Sequence, residues 1–129
     1  MRVTIYIYLI ILAVFISCSP ESSLTGSASC TELSFVAFHP GTSVSVFGSS
    51  ITATGTLTNS SSVATVTSPW NIEGQFYYQD GNGNDFVAGG ASSQINNSLG
   101  PGISMEWALT LSTNNTDHTF EIRDLRACQ

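Results

Sequence analysis

The chain has 129 residues, with nine acidic and three basic side chains and a formal net charge of -6. Only 9% of the residues are charged, lysine is missing altogether, and 34 residues are serine or threonine. This length allows one domain, and the composition argues against a helical bundle or a coiled coil, which both rely on Ala, Glu, Lys and Leu. Three arginines offer no basic footprint for nucleic acid or an anionic lipid surface, so both partner classes are excluded.

Residues 1–17 have the pattern of an export signal. Arg2 supplies one positive charge, and residues 3–16 form an apolar run without a charged side chain. A helix that spans a bilayer permanently needs about 20 apolar residues, and this run is followed at once by a polar segment. The pattern therefore indicates a signal peptide.

The end of this run carries a cysteine. The segment Phe15-Ile16-Ser17-Cys18 resembles the lipobox of bacterial lipoproteins, in which a small residue precedes the cysteine that is lipidated. The resemblance implies that Cys18 becomes the lipid-bearing first residue of the mature protein, where two or more acyl chains would anchor it stably. Simple secretion after cleavage near Ser17, and an uncleaved anchor, are the alternatives.

Residues 18–29 comprise this cysteine and a linker. Serine dominates the segment after Cys18, together with Pro and Gly, which is typical of a flexible coil. Its root-mean-square reach is roughly 15 to 20 Å. Residues 30–129 are predicted to form the folded domain.

Alternation of apolar and polar residues predicts strands throughout this domain, with no segment of helical period. The clearest strands cover residues 51–58, 70–78 and 103–111, where side chains alternate between a buried and a solvated face. Weaker patterns predict strands at 32–38, 43–47, 63–67, 85–89 and 118–125, separated by turn-forming residues. Seven or eight strands in about 100 residues predict an all-β, antiparallel, immunoglobulin-like β-sandwich.

Two cysteines remain once Cys18 is assigned to lipid. Cys30 is the first residue of the domain and Cys128 its penultimate one, and export favours a disulfide between them. Closing this loop would stabilise the domain by about 4 to 5 kcal/mol in the chain-entropy model. The bridge requires the first and last strands to be neighbours, and two unpaired thiols are the alternative.

Three segments resemble a known family. They are Gly55-Thr56-Leu57-Thr58-Asn59, then Phe76-Tyr77-Tyr78-Gln79-Asp80-Gly81, then Leu99-Gly100-Pro101-Gly102 before the Trp107 strand. Together they resemble the FxLYD-type immunoglobulin-like domains of prokaryotic envelope lipoproteins, over about residues 51–112. The resemblance implies an exported β-sandwich without a defined chemistry.

Few residues are candidates for a chemical role. Alternation places Tyr77 on the outer face of its strand among amide side chains, where it could contact a sugar or a protein, or serve only as a good strand residue. The turn at residues 80–85 lacks the calcium-loop Gly and Glu, so a plain turn is favoured over a weak cation site. His39 and His118 do not have zinc-site spacing, and no nucleophile elbow or phosphate loop occurs. No metal site, cofactor or enzymatic activity is predicted.

The sequence therefore predicts a lipoprotein of the bacterial cell envelope, anchored to the membrane through Cys18. Its expected place is the outer membrane, on the periplasmic or the surface face. Its expected role is that of a non-catalytic binding or structural module with a protein or glycan partner. The alternative is an accessory subunit of an envelope or surface complex that contacts its partners by a sheet edge.

Overall fold

The computed structural model describes residues 30–129, which form an antiparallel β-sandwich of seven strands in two sheets. The predicted fold class is confirmed. The strands are β1 (Val36–Phe38), β2 (Ser43–Phe47), β3 (Ser50–Asn59), β4 (Trp70–Gln79), β5 (Asp85–Ile95), β6 (Ser104–Ser112) and β7 (Phe120–Cys128). The predicted signal peptide, the lipidated cysteine and the linker lie outside the described residues. Within residues 30–129, no helix is long and apolar enough to cross a membrane.

One sheet has the order β5-β4-β7, and the other has β3 at its centre. β6 pairs with one side of β3, while β1 and β2 share the other side. The chain before β1 crosses between the sheets, because Glu32 forms a bridge with Cys128 of β7. The first and last strand regions are therefore neighbours, as the predicted disulfide requires.

The core lies between the sheets and follows the predicted alternation. Trp70, Ile72 and Phe76 of β4 are fully buried and belong to one core cluster with residues of β3 and β6. Burying such side chains contributes about 1.5 to 3 kcal/mol each. The other buried apolar side chains are those of Val36, Ile51, Ala53, Leu57, Val66, Leu99, Trp107, Leu109, Phe120 and Ala127.

Two glycines allow bulky neighbours to approach the backbone. A Cβ on Gly55 would lie 2.8 Å from the Trp107 indole, and a Cβ on Gly74 would lie 2.9 Å from both Ile122 and Leu125. The side chains of Ile122 and Leu125 both point inward because β7 carries a bulge. The bulge shifts the register of the β4–β7 pairing between Glu73 and Gln75 of β4. Gly74 therefore accommodates the bulge of the neighbouring strand.

The prediction of a strand at residues 63–67 is wrong. Only Val66 pairs there, in an isolated bridge with Leu99. The buried Asn59 explains the difference, because its Nδ2 donates to the carbonyls of Ala64 (2.7 Å) and Leu99 (2.9 Å). Its Oδ1 accepts the N–H of Ser61 at 3.0 Å. These bonds hold the segment as a loop that crosses the end of the sandwich.

Three other strands differ from prediction in their bounds. β5 continues to Ile95, β7 runs from Phe120 to Cys128, and β1 begins only at Val36. The second half of β5 was not predicted because Gly, Ala and Ser replace large apolar residues on its inner face. These small side chains allow β6 to pack closely, with Leu111 reaching within 3.1 Å of the Cβ position of Gly89.

The sandwich has two distinct ends. The disulfide end carries the Cys30–Cys128 bond beside Asn71 of β4. The hairpin end carries the β4–β5 turn, and the last β4–β7 pair there is Tyr78 with Phe120. At about 3.3 Å per residue along β4, the two ends are roughly 20 to 25 Å apart.

Candidate functional site

The disulfide closes the domain at one end. Cys30 and Cys128 are bonded, with their Cα atoms 5.4 Å apart and a sequence separation of 98. Backbone hydrogen bonds from Thr31 to Gln129 and from Leu33 to Ala127 continue the same pairing. The predicted bridge is confirmed, and it fixes the beginning of the domain to its last strand.

Glu73 lies beside this disulfide and is 7% exposed. One of its carboxylate oxygens and the two sulfurs lie within 4.8 Å of one another. Both sulfurs are engaged in the disulfide, and Glu73 accepts two hydrogen bonds from Arg126, at 2.6 and 2.8 Å. Neither sulfur is therefore a thiolate that could bind a metal ion in this form, and Glu73 is paired with Arg126.

Tyr77 lies on the outer face of β4, as predicted, and is half-buried. The guanidinium of Arg123 lies 4.8 Å from its ring centroid, a cation–π arrangement. Its hydroxyl faces two acceptors, Asp124 Oδ2 at 2.9 Å and Gln75 Oε1 at 3.0 Å. The hydrogen bond to Asp124 raises the pKa of Tyr77, and loss of hydration adds to this effect.

The bulge in β7 explains why two charged groups meet at Tyr77. Asp124 has a φ of 55°, in the left-handed region where Asp is tolerated better than most residues. The bulge places Arg123 and Asp124, which are consecutive in sequence, on the same outer face. One face of the Tyr77 ring is therefore occupied by Arg123. That face packs within the domain and is not open to a ligand.

A cleft of about 540 Å³ opens at the hairpin end, where β4 and β7 separate beyond Tyr78 and Phe120. We call it the end cleft. One wall is the β4–β5 hairpin and the other is the chain leading into β7. Its lining residues are Tyr78, Gln79, Asp80, Gly81, Asp117, His118, Thr119, Phe120, Glu121 and Arg123.

Three planar side chains are stacked beside the end cleft. The rings of His118 and Tyr78 are 4.5 Å apart at an angle of 11°, and those of Tyr78 and Phe86 are 5.5 Å apart at 21°. Phe120 meets Tyr78 edge-on at 5.8 Å. This packing fixes the orientation of the cleft wall, since aromatic pairs contribute beyond their buried area.

The charges around the end cleft are unbalanced. Arg123 is shared between Glu121 and Asp85, the latter at 2.7 Å. The hydrogen bond from Arg123, and a second from Gln79, lower the pKa of Asp85. Among the described residues, the Asp117 carboxylate has no hydrogen-bond or ion-pair partner. The cleft thus keeps negative charge that no cation of the domain neutralises.

Asp80 has a structural task within this region. Its Oδ1 accepts the N–H groups of Asn82 (2.8 Å) and Asn84 (2.9 Å), and its Oδ2 accepts the Asn84 side-chain amide at 3.1 Å. These hydrogen bonds, led by that of the Asn84 side chain, lower the pKa of Asp80. They form the turn between β4 and β5, and the carboxylate remains ionised near neutral pH.

Sequence reasoning placed Tyr77 correctly on its face but did not find the end cleft. Its walls come from residues about 40 positions apart, and only the β4–β7 pairing brings Tyr78 to His118. The exposed Phe86 next to the predicted hairpin was the one local sign of this cleft in the sequence.

Cys18, the predicted lipidation site, lies outside the described residues. Comparison of the chain with family models, curated proteins and solved structures finds no match.

Proposed function

We propose that the protein is an exported lipoprotein of the bacterial cell envelope that acts as a non-catalytic binding module. The resemblance of residues 15–18 to a lipobox supports the lipid anchor at Cys18. A single observation supports the binding role: the chain enters the domain at the disulfide end, while the end cleft lies at the opposite end. A domain held by its N-terminus would present this cleft away from the membrane.

The anchor is tested by mass spectrometry of the mature N-terminus. We expect a diacylated or triacylated cysteine at residue 18, and Cys18→Ala should abolish the modification. An unmodified serine at the start of the mature chain would refute the lipid anchor. Fractionation of the envelope then tests the expected outer-membrane location.

The binding role is tested by placing a photo-crosslinking amino acid at Thr119, an exposed residue of the end cleft. The same amino acid at Thr54, which is exposed on the other sheet, is the matched control. We expect Thr119 to capture an envelope component and Thr54 to capture none. Equal labelling from both positions would contradict a binding role for the cleft.

The second candidate is an accessory subunit that contacts its partner through a sheet edge. It is supported by β5, which is 11 residues long and pairs only with β4 within the described chain. Charged side chains and proline normally protect an edge strand from pairing with another chain. Residues 90–95 contain neither. Ser92→Lys with Gln94→Lys should block this contact. Loss of partner capture in this variant, with capture retained in end-cleft variants, would favour the second candidate.

A further inference from the structure

We propose that the edge of β5 pairs with the same edge of a second copy of the chain, so that two β5-β4-β7 sheets become one continuous sheet. The inference rests on the second candidate function and names the partner at that sheet edge. Within the described chain β5 pairs only with β4. We call the side of residues 90–94 that faces away from β4 the β5 edge.

The backbone of the β5 edge carries unpaired hydrogen-bonding groups at every second residue. Ala127 of β7 accepts the N–H of Leu33 at 2.8 Å, so its backbone groups face away from β4. Its partner in β4 is Ile72, whose backbone groups therefore face β5 and its partner there, Ser93. These directions alternate along each strand. The N–H and C=O groups that point away from β4 are therefore those of Gly90, Ser92 and Gln94.

The β5 edge lacks the features that protect the other edges of the sandwich. β7 is bulged where Arg123 and Asp124 lie, and β6 carries Glu106 near its middle. β1 and β2 are only 3 and 5 residues long. The irregularity in β5 is at Ala88, which has no partner in β4, whereas residues 89–95 pair in unbroken register. Charges, bulges and short length are the usual defences of an edge strand, and residues 90–94 have none of them.

Charge favours an approach of two copies on this side of the sandwich. The chain has a formal net charge of -6, so two copies repel each other over most of their surfaces. Residues 86–112, which include most of β5 and all of β6, contain a single charged side chain, that of Glu106. Repulsion between two copies is therefore smallest here, and a strongly charged partner would find no ionic contact.

The side chains of the β5 edge are complementary to themselves. A two-fold axis at Ser92 pairs this residue with its own copy, and Gly90 with the partner's Gln94, through about six backbone hydrogen bonds. In the same register Ile95 lies opposite the partner's Gly89. The two larger side chains of this segment thus each face a glycine, and the two Ser92 hydroxyls lie side by side. Nothing bulky prevents the strands from approaching to the usual spacing of about 4.8 Å.

Antiparallel pairing directs the two disulfide ends in opposite directions. Two copies anchored in one membrane would therefore lie with their strands along its surface, where each linker, with a reach of roughly 15 to 20 Å, could return to the membrane. This arrangement differs from the upright orientation that presents the end cleft. The contact is also short and buries less than the about 1,200 Å² of a standard interface, so the dimer is weak and depends on concentration.

The first test is site-specific crosslinking of the protein lacking residues 1–18. The sheets and the disulfide are complete within residues 30–129. Ser92→Cys places two thiols at the two-fold axis, where Cα atoms about 5.5 Å apart suit a disulfide. Gln94→Cys, exposed on the same face of β5, is the matched control, because its two copies would be about 14 Å apart.

We expect mild oxidation to join Ser92→Cys into a covalent dimer at least about tenfold faster than Gln94→Cys, because only the former fits the geometry of a disulfide. Equal rates for the two variants, or a faster rate for Gln94→Cys, would overturn the proposal.

The second test is sedimentation equilibrium. Ser92→Lys with Gln94→Lys should raise the dissociation constant of the dimer at least about tenfold, by placing like charges together. Ala108→Lys with Ser112→Lys adds the same charge to the exposed face of β6 and should change it little. Added salt should strengthen the parent dimer, since it screens the repulsion between acidic copies. A parent that stays monomeric at about 1 mM, a species larger than a dimer, or equal weakening by both lysine pairs would overturn the proposal.

The dimer and the sheet-edge function fail separately. A parent that stays monomeric, while Ser92→Lys with Gln94→Lys abolishes capture of an envelope component, overturns the second copy and leaves the sheet-edge function standing. A dimer that forms in solution, while the same lysine pair leaves that capture intact, supports the second copy and contradicts the function with another partner.

Discussion

Asn59 links three segments of the chain by a single buried side chain. Its amide satisfies two carbonyls and one N–H at the disulfide end, and it is fully buried. The sequence identified this residue only through a family resemblance. The structure gives the physical reason, since Val66 is the one residue of the loop at 63–67 that forms a backbone bridge within the described chain, and the Asn59 side chain holds the rest of the turn.

We predict that Asn59→Ala lowers the free energy of unfolding by about 2 to 4 kcal/mol, because buried polar groups would lose their partners. Chemical denaturation followed by tryptophan fluorescence measures the change. Asn115→Ala, in an exposed loop, should shift the midpoint little and serves as the control. Similar midpoints for the two variants would contradict the anchoring role of Asn59.

Tyr77 should ionise later than an ordinary tyrosine. Its neutral hydroxyl donates to Asp124, so the pKa of Tyr77 is raised above 10. The hydrogen bond therefore contributes stability below pH 10, and this contribution is lost as pH rises through the raised pKa.

Absorbance titration of the domain measures this effect. Tyr77→Phe should remove the late-ionising component. Asp124→Asn should return the ionisation of Tyr77 towards pH 10 while keeping the bulge, since Asn tolerates positive φ. A titration curve that Asp124→Asn leaves unchanged would show that Asp124 is not the cause.

At the scale of elements, strands were predictable wherever one face is lined by large apolar side chains. β3, β4 and β6 have such faces and lie within one or two residues of the predicted bounds. β5 beyond Gly89 and the loop at 63–67 were missed because pairing there depends on the neighbouring chain. The end cleft was missed for the same reason, since no local pattern links Tyr78 to His118.

The fit between β4 and the β7 bulge yields a prediction for two glycines. Gly74→Ala would place a methyl group 2.9 Å from Ile122 and Leu125, and we expect a loss of about 1 to 3 kcal/mol in unfolding free energy. In Gly90→Ala, on the adjacent strand, the nearest atom to the new methyl group would be 3.8 Å away. This control should remain within about 0.5 kcal/mol of the parent. Equal losses in thermal or chemical unfolding would rule out the packing explanation.

At the scale of the whole molecule, stability depends on the disulfide that closes nearly the entire domain. We expect the double variant Cys30→Ala with Cys128→Ala to lose about 4 kcal/mol by loop-closure entropy. Denaturation of the oxidised parent, the reduced parent and the double variant gives the comparison. The last two should agree closely. A reduced parent as stable as the oxidised one would contradict this prediction.

The disulfide also determines how the molecule would carry mechanical load. In a protein anchored through residue 18, a pulling force on the anchor would enter the domain at Cys30 and pass through the disulfide to Cys128. A partner held in the end cleft would pull on the chain at Asp117–Phe120, which leads into the other end of β7. The two forces act on the two ends of β7 in opposite directions, so the load passes along the backbone of β7 and does not pull it away from β4. Without the disulfide, the same force would peel away residues 31–33, whose few hydrogen bonds to β7 would break one after another.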